Sequence, residues 1–236
     1  MTTELILLNV AIALAGVVQA SAGLGFAMVA NPLLALINIA YLPGPMLFAN
    51  LFLSSAILWR EGPSLNRREM PPLLLGLLLG TVIGALVLTQ IAAERLGLVF
   101  GIVILAAVVL SLVSPVLPLT RRNILFGATA GGITGIVAAM HGPPLVMLYQ
   151  REEAAKIRAT FATLFVVGCT MALIGLWISG RFGMTEVWMG LSLLPGIVVG
   201  FWLGRIIAMR VTQGMARAAM LIISGLGGLA LVIESL

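Results

Sequence analysis

The sequence has no aspartate, a single histidine, a single cysteine and only 9% charged residues. Each shortage excludes something. A lone Cys169 forms no intramolecular disulfide and no thiolate metal cluster, and inside an apolar run it reads as a small packing residue. One histidine, one distant cysteine and no aspartate supply neither a nucleophile–base pair nor a metal-ligand set, so the chain is not read as an enzyme. No phosphate-binding loop of the nucleotide-hydrolase type occurs, so direct use of ATP is not expected and no cofactor is implied. A soluble domain carries roughly 25% charged residues, and this composition cannot cover a water-soluble surface. Strict alternation of apolar and polar residues is missing too, which argues against an outer-membrane barrel. The start, MTTE, lacks the basic region of a cleaved signal peptide, so the first apolar segment is expected to stay in the mature protein.

What is present is apolar sequence in long runs. The 236 residues are 61% hydrophobic, with a mean hydropathy of +1.18. The runs approach the roughly 20 residues that a spanning helix needs. The expected fold is an all-α integral membrane protein of about 8–10 membrane segments, with no room for a soluble domain. The net charge of +5 could point to nucleic acid, but the basic residues sit in short loops and read as topology signals.

The chain divides into two membrane repeats, 1–118 and 119–236. Sliding the sequence by 112 positions places Gly23, Ala27, Met28, Pro32, Leu33 and Leu36 on Gly135, Ala139, Met140, Pro144, Leu145 and Leu148. In the first half, an apolar segment over about Leu5–Ala20 is broken at Ser21–Pro32, and a short piece continues to about Ile39. Helices are expected over about Met46–Trp59, Leu73–Ile91 and Leu96–Val113. In the second half, Asn123–Ala138 is broken at Met140–Pro144, a piece runs to about Gln150, and Arg151–Arg158 is a charged loop. Helices then cover about Ala159–Ser179, Val187–Leu203 and Ala216–Ile233. Gly76, Gly80 and Gly84 stand four apart, as do Gly196, Gly200 and Gly204, with Gly80 and Gly84 matching Gly196 and Gly200 at an offset of 116; such spacing lets membrane helices approach closely. Trp59 and Trp188 lie near segment ends and read as interface anchors.

Charge sets the topology. Eleven of the 13 basic residues fall on one side, leaving only Arg95 and Arg181 opposite. The richer side is cytoplasmic by the positive-inside rule. This works only if each broken pair begins and ends on one face, outside in the first half and inside in the second. The halves are then inverted, and both termini lie outside. The piece after His141 is too short to cross about 30 Å at 1.5 Å per residue, which favours re-entrant hairpins over two short spans.

Two glycine/proline breaks at matching places point to a binding site in a transporter. Backbone freed inside lipid must be satisfied by protein or by a wet cavity. Pro32 and Pro144 suit the first turn of a helix, and two such helix starts would aim N–H groups and positive dipole ends at the centre. That favours an anion, since a cation carrier would usually need an intramembrane carboxylate. His141 is the leading side chain, as hydrogen-bond donor or proton acceptor, or else as a cap of the broken helix. Gly142, Pro143 and Gly135 form the second break with it, and Gly23 and Gly25 form the first. Asn31 could cap the first short helix or bind substrate, and the sequence favours neither role. Ser21 and Thr134 flank the breaks, and Gln19 and Asn50 are polar residues within apolar runs, expected to face the interior.

SAGLGFAMVANPLLALI and GGITGIVAAMHGPPLVMLYQ, followed by Arg158-Ala159-Thr160, resemble the TauE/SafE-type sulfite and sulfonate exporters, also grouped as toluene sulfonate uptake permeases. The resemblance covers essentially the whole chain. It implies secondary transport of a small anion across the bacterial inner membrane, namely sulfite, an organosulfonate, or a related sulfur oxyanion or carboxylate. Alternating access would proceed at the two breaks, with the lipid bilayer as surroundings, protons as a candidate coupling ion and a homodimer as a candidate assembly. Two other readings stay open: a channel for another small solute, and a non-transporting assembly subunit.

Overall fold

The computed structural model describes residues 2–22, 25–113, 116–207 and 213–235. Helix is the only regular structure among them: α1 (Thr2–Ala22), α2 (Phe26–Asn38), α3 (Gly44–Glu61), α4 (Met70–Thr89), α5 (Leu96–Val113), α6 (Arg121–Ala138), α7 (Pro143–Tyr149), α8 (Ala154–Ile178), α9 (Met184–Ser192), α10 (Leu194–Ile207) and α11 (Gln213–Glu234). Among the described residues, five stretches are long and apolar enough to cross a membrane: Arg67–Thr89, Leu96–Val113, Ala154–Ile178, Met184–Gly204 and Arg217–Glu234. The chain is an all-α, multi-pass membrane protein. Pro45, Pro71 and Pro72 stand in the first turns of α3 and α4, where a missing N–H removes no helix bond.

α8 begins five residues before the expected Ala159. Of the charged stretch Arg151–Arg158, residues 151–153 form the expected turn, while 154–158 are already helical and their charges reach other segments. Lys156 Nζ lies 2.8 Å from Glu69 Oε1, and Arg158 Nε lies 3.1 Å from Glu61 Oε1. α9 likewise starts at Met184, where Glu186 Oε2 accepts the Gly183 N–H at 2.7 Å.

Contacts sort the helix ends into two groups. One end of the bundle gathers Glu61, Glu69, Lys156 and Arg158, and there the Leu117 N–H donates to the Met147 carbonyl at 3.2 Å and Arg217 donates to the Ser111 carbonyl. The other end gathers Glu4 with Asn38, Arg181 with the Ile91 carbonyl, and Gly97 with Ser235. α1–α2 therefore starts and finishes at one end, and α6–α7 at the other. The seven residues of α7 rise only about 10 Å, a third of the hydrocarbon thickness. The described basic residues of the richer group lie at the first end. Arg210 and the Arg205 side chain lie outside the described residues. Trp59, largely exposed, closes that same end, and the exposed Trp188 lies toward the other.

Packing follows the small residues. α4 lies along α6, α1 along α10, α3 against α8 and α5 against α11. α2 also leans on α11, and α7 on α5. In the α4–α6 seam Gly76, Gly80 and Gly84 face the Leu125 carbonyl, the Thr129 carbonyl and Ile133. In the α1–α10 seam Gly196 and Gly200 face the backbone of Asn9 and Ala13, and Asn9 Oδ1 accepts the Gly196 N–H at 2.7 Å. Such contact is closed to any side chain, which is how small residues bring membrane helices together. Gly80→Ala would drive a methyl into the Thr129 backbone and should cost about 1–3 kcal/mol. Gly225, with nothing within 4 Å of an added Cβ, should tolerate alanine to within about 0.5 kcal/mol. Thermal midpoints of the detergent-purified variants check both.

Candidate functional site

The two helix breaks are built differently. In α6–α7 the helix ends at Ala138, and Ala139 turns the chain in the left-handed region at φ 54°. The Met140 N–H donates to the Thr134 carbonyl at 3.2 Å, and Thr134 Oγ1 donates back to the Met140 carbonyl. Thr134 thus closes the break by its own hydrogen bonds. α7 then opens on Pro143 and Pro144. These prolines fit the first turn, as expected, but they also remove two of the donors that a helix start would present. The next, Leu145 N–H, is taken by the Gly142 carbonyl at 2.9 Å.

In α1–α2 the break falls before Phe26, with Gly25 in the left-handed region at φ 103°. Pro32 is not in the first turn, as the sequence led us to expect, but inside α2. A proline there orphans the carbonyl four residues earlier, which is that of Met28. Ser224 Oγ, on α11, donates to this carbonyl at 2.6 Å, and Gly227 packs on the proline ring. Asn31 is not the cap of α2 either. It also lies inside the helix, and its Nδ2 donates to the Ala138 carbonyl at the end of α6. The cap is Gln19, whose Oε1 accepts the Phe26 N–H at 3.1 Å.

Between the breaks lies a cavity of about 20 Å³, room for about one water. Of the residues singled out from the sequence, Gln19, Gly25, Asn50, Gly142 and Pro143 line it. Phe26, Ala27 and Met28 from the start of α2, with Val146 and Phe165, complete the wall. No ionisable side chain is among these. Asn50 donates to Cys169 Sγ at 3.7 Å and accepts from Ser54 Oγ at 3.1 Å. Phe165 and Val146 escaped the sequence reading because an apolar residue in an apolar run carries no signal of its own.

His141 stands behind this wall. It is fully buried, wedged between Gly135 and Gly168, with its ring edge toward Phe165 at 6.5 Å between centroids. Neither ring nitrogen finds a hydrogen-bond partner among the described residues, so the side chain does not cap the break. Gly135 and Gly168 are the space it occupies, since a Cβ at either would strike the ring. Asn31 Oδ1 is likewise buried and without a partner. Thr134 faces a separate space beside α5, with Met140, Pro143 and Pro144. Gly23 and the Ser21 side chain lie outside the described residues.

At the basic end a buried polar cluster pins the tip of α7. Glu69 accepts from Tyr149 Oη at 2.9 Å and from Asn66 Nδ2 at 2.7 Å, besides pairing with Lys156. Its members come from two distant stretches of sequence, 66–69 and 149–156, and no local spacing announces that these meet.

The model of the sulfite exporter family TauE/SafE matches residues 8–231, a range that holds both breaks and every residue of the cavity wall. The chain belongs to the TauE/SafE sulfite exporter family. It is therefore a membrane transporter and not an enzyme, and its family implies a small anionic substrate and a lipid bilayer. No curated protein and no solved structure matches the chain. Within this TauE/SafE protein the Thr134 hydroxyl serves the Met140 carbonyl at the second break. Thr134→Val should leave the Met140 carbonyl unpaired and cost about 1–3 kcal/mol. Thr134→Ser should restore most of it, as read from thermal midpoints in detergent.

Proposed function

We propose that this protein is a secondary carrier of a small anion, and that the cavity between the two helix breaks is where the anion binds. The observation that carries this reading is the meeting of the α1–α2 and α6–α7 breaks around one neutral, amide-lined space. Gln19 and Asn50 offer side-chain amides. The first turn of α2, where helix N–H groups have no intrahelical partner, borders the cavity through Ala27 and Met28. A cation would meet no carboxylate there, whereas an anion meets donors without a fixed charge that would hold it too tightly to leave. The donors fall mainly to α2, because prolines open α7.

At about 20 Å³ the cavity is smaller than a sulfur oxyanion, so transport requires the hairpins to part, as in alternating access. The buried His141, with both nitrogens unpartnered, is the side chain that would join the site as donor or proton acceptor when they do. The carrier is read as two inverted repeats, 1–118 and 119–236. In support, exchanging α1 with α6, α2 with α7, α4 with α9–α10 and α5 with α11 converts the α1–α10 seam into α6–α4 and the α2–α11 contact into α7–α5, while α3–α8 stays central. By the positive-inside rule the basic end is cytoplasmic and both termini are outside, in a bacterial inner membrane.

Two experiments test this. In proteoliposomes, labelled sulfite, thiosulfate, a short sulfonate and a short carboxylate are offered for counterflow. Saturable exchange of one anion is expected, with KM raised about tenfold by Asn50→Ala, the effect of losing about 1.4 kcal/mol of binding, and the rate lowered by His141→Ala. No exchange of any of the four by folded protein would overturn the reading. For orientation, Glu94→Cys should react with a membrane-impermeant maleimide from outside the cell and Arg122→Cys should not. The reverse labelling would invert the topology.

A further inference from the structure

The membrane-facing surface carries a groove of about 610 Å³ between α4 and α8, away from the central cavity. Leu78, Val82 and Leu86 form one wall and Ile174 and Ile178 the other, all largely exposed. Thr89 and Ser179 end it on the polar side. Thr89 lies 11 residues beyond Leu78, and the rise between them is about 16 Å. That is half of the roughly 30 Å hydrocarbon thickness, so the groove is one leaflet deep.

Its mouth carries a cation. Arg181, two residues past Ser179, donates from Nη2 to the Ile91 carbonyl at 3.2 Å, two residues past Thr89, and so ties the two walls together. Among the described residues no carboxylate forms an ion pair with Arg181. A guanidinium has five N–H donors in a fork that suits phosphate, and this hydrogen bond engages one nitrogen of it. The exposed Trp177 on α8 lies at the same end, as aromatic residues do at the headgroup level. A transmembrane helix from a second copy would need a seam through the full membrane, whereas this groove stops at mid-depth.

We propose that the α4–α8 groove binds one anionic phospholipid, with an acyl chain between the two helices and its phosphate on Arg181. The depth of one leaflet, the apolar walls and the Arg181 guanidinium at the mouth match the three parts of such a molecule. The site is independent of the transport cavity and borders the α4–α6 and α3–α8 seams, so an occupied groove would brace both.

Native mass spectrometry of the full chain with phosphatidylglycerol or phosphatidylethanolamine of identical acyl chains tests this. Wild type should retain phosphatidylglycerol at least about fivefold better, the effect of about 1 kcal/mol for one basic residue near a charged headgroup. Arg181→Gln should bring the ratio close to one, Arg181→Lys should keep most of it, and Arg122→Gln at the opposite end should leave it unchanged. Ile174→Trp, on the exposed wall, should reduce retention of both lipids without moving the thermal midpoint measured in detergent with no lipid added. A preference that survives Arg181→Gln, retention unaffected by Ile174→Trp, or a dimer that Ile174→Trp splits would each overturn the proposal.

Discussion

Inside a bilayer, a backbone carbonyl or N–H without a hydrogen-bond partner has no water to turn to and is costly. This protein breaks helices at two places within its membrane region, and its centre is arranged around repairing them. Ser224 serves the carbonyl that Pro32 orphans, Thr134 serves that of Met140, Asn31 serves that of Ala138, and Gln19 takes the N–H of Phe26. Three of these repairs lie within one hairpin or between the two hairpins, and the fourth comes from α11. The breaks are held open by specific side chains rather than by flexible backbone.

The same repairs make the two hairpins unequal. α2 has 13 residues, with its proline inside, and it begins on a glycine with an amide cap. α7 has seven, with two prolines at its start and few donors left. Electrostatics at the centre therefore comes mainly from the first hairpin, while the second contributes shape through Gly142 and Pro143 and the unpartnered ring of His141. The two breaks do not present equivalent helix starts to this cavity.

Rigidity lies in the outer seams. α4 on α6 and α1 on α10 meet backbone to backbone through glycine, which leaves little freedom for sliding. The tip of α7 is fastened instead by Glu69, Tyr149 and Lys156, a polar cluster at the end of the bundle. Polar bonds near the membrane surface can be exchanged for water, whereas a glycine seam cannot.

Much of this was legible in the sequence. Hydropathy over long runs, the shortage of charge and the absence of strict apolar–polar alternation pointed to an all-helical membrane protein, because only helices and closed barrels satisfy their backbone in lipid and a barrel needs that alternation. The spacing of Gly76, Gly80 and Gly84 marked a helix seam, and the prolines and glycines marked both breaks. For the described basic residues, arginine counting sorted the loops into the same two groups as the helix-end contacts. Only tertiary structure decided what those breaks do. Pro32 looked like a helix start because prolines favour that place, yet Ser224, 192 positions away in the chain, lets it sit inside α2. Asn31 looked like a cap because it precedes a proline, yet its amide reaches the other hairpin. Phe165 and Val146 entered the cavity wall, and His141 stood back from it, because contact across the bundle depends on which faces meet. A single chain read in order records which residues are polar, but not which distant carbonyl each will serve.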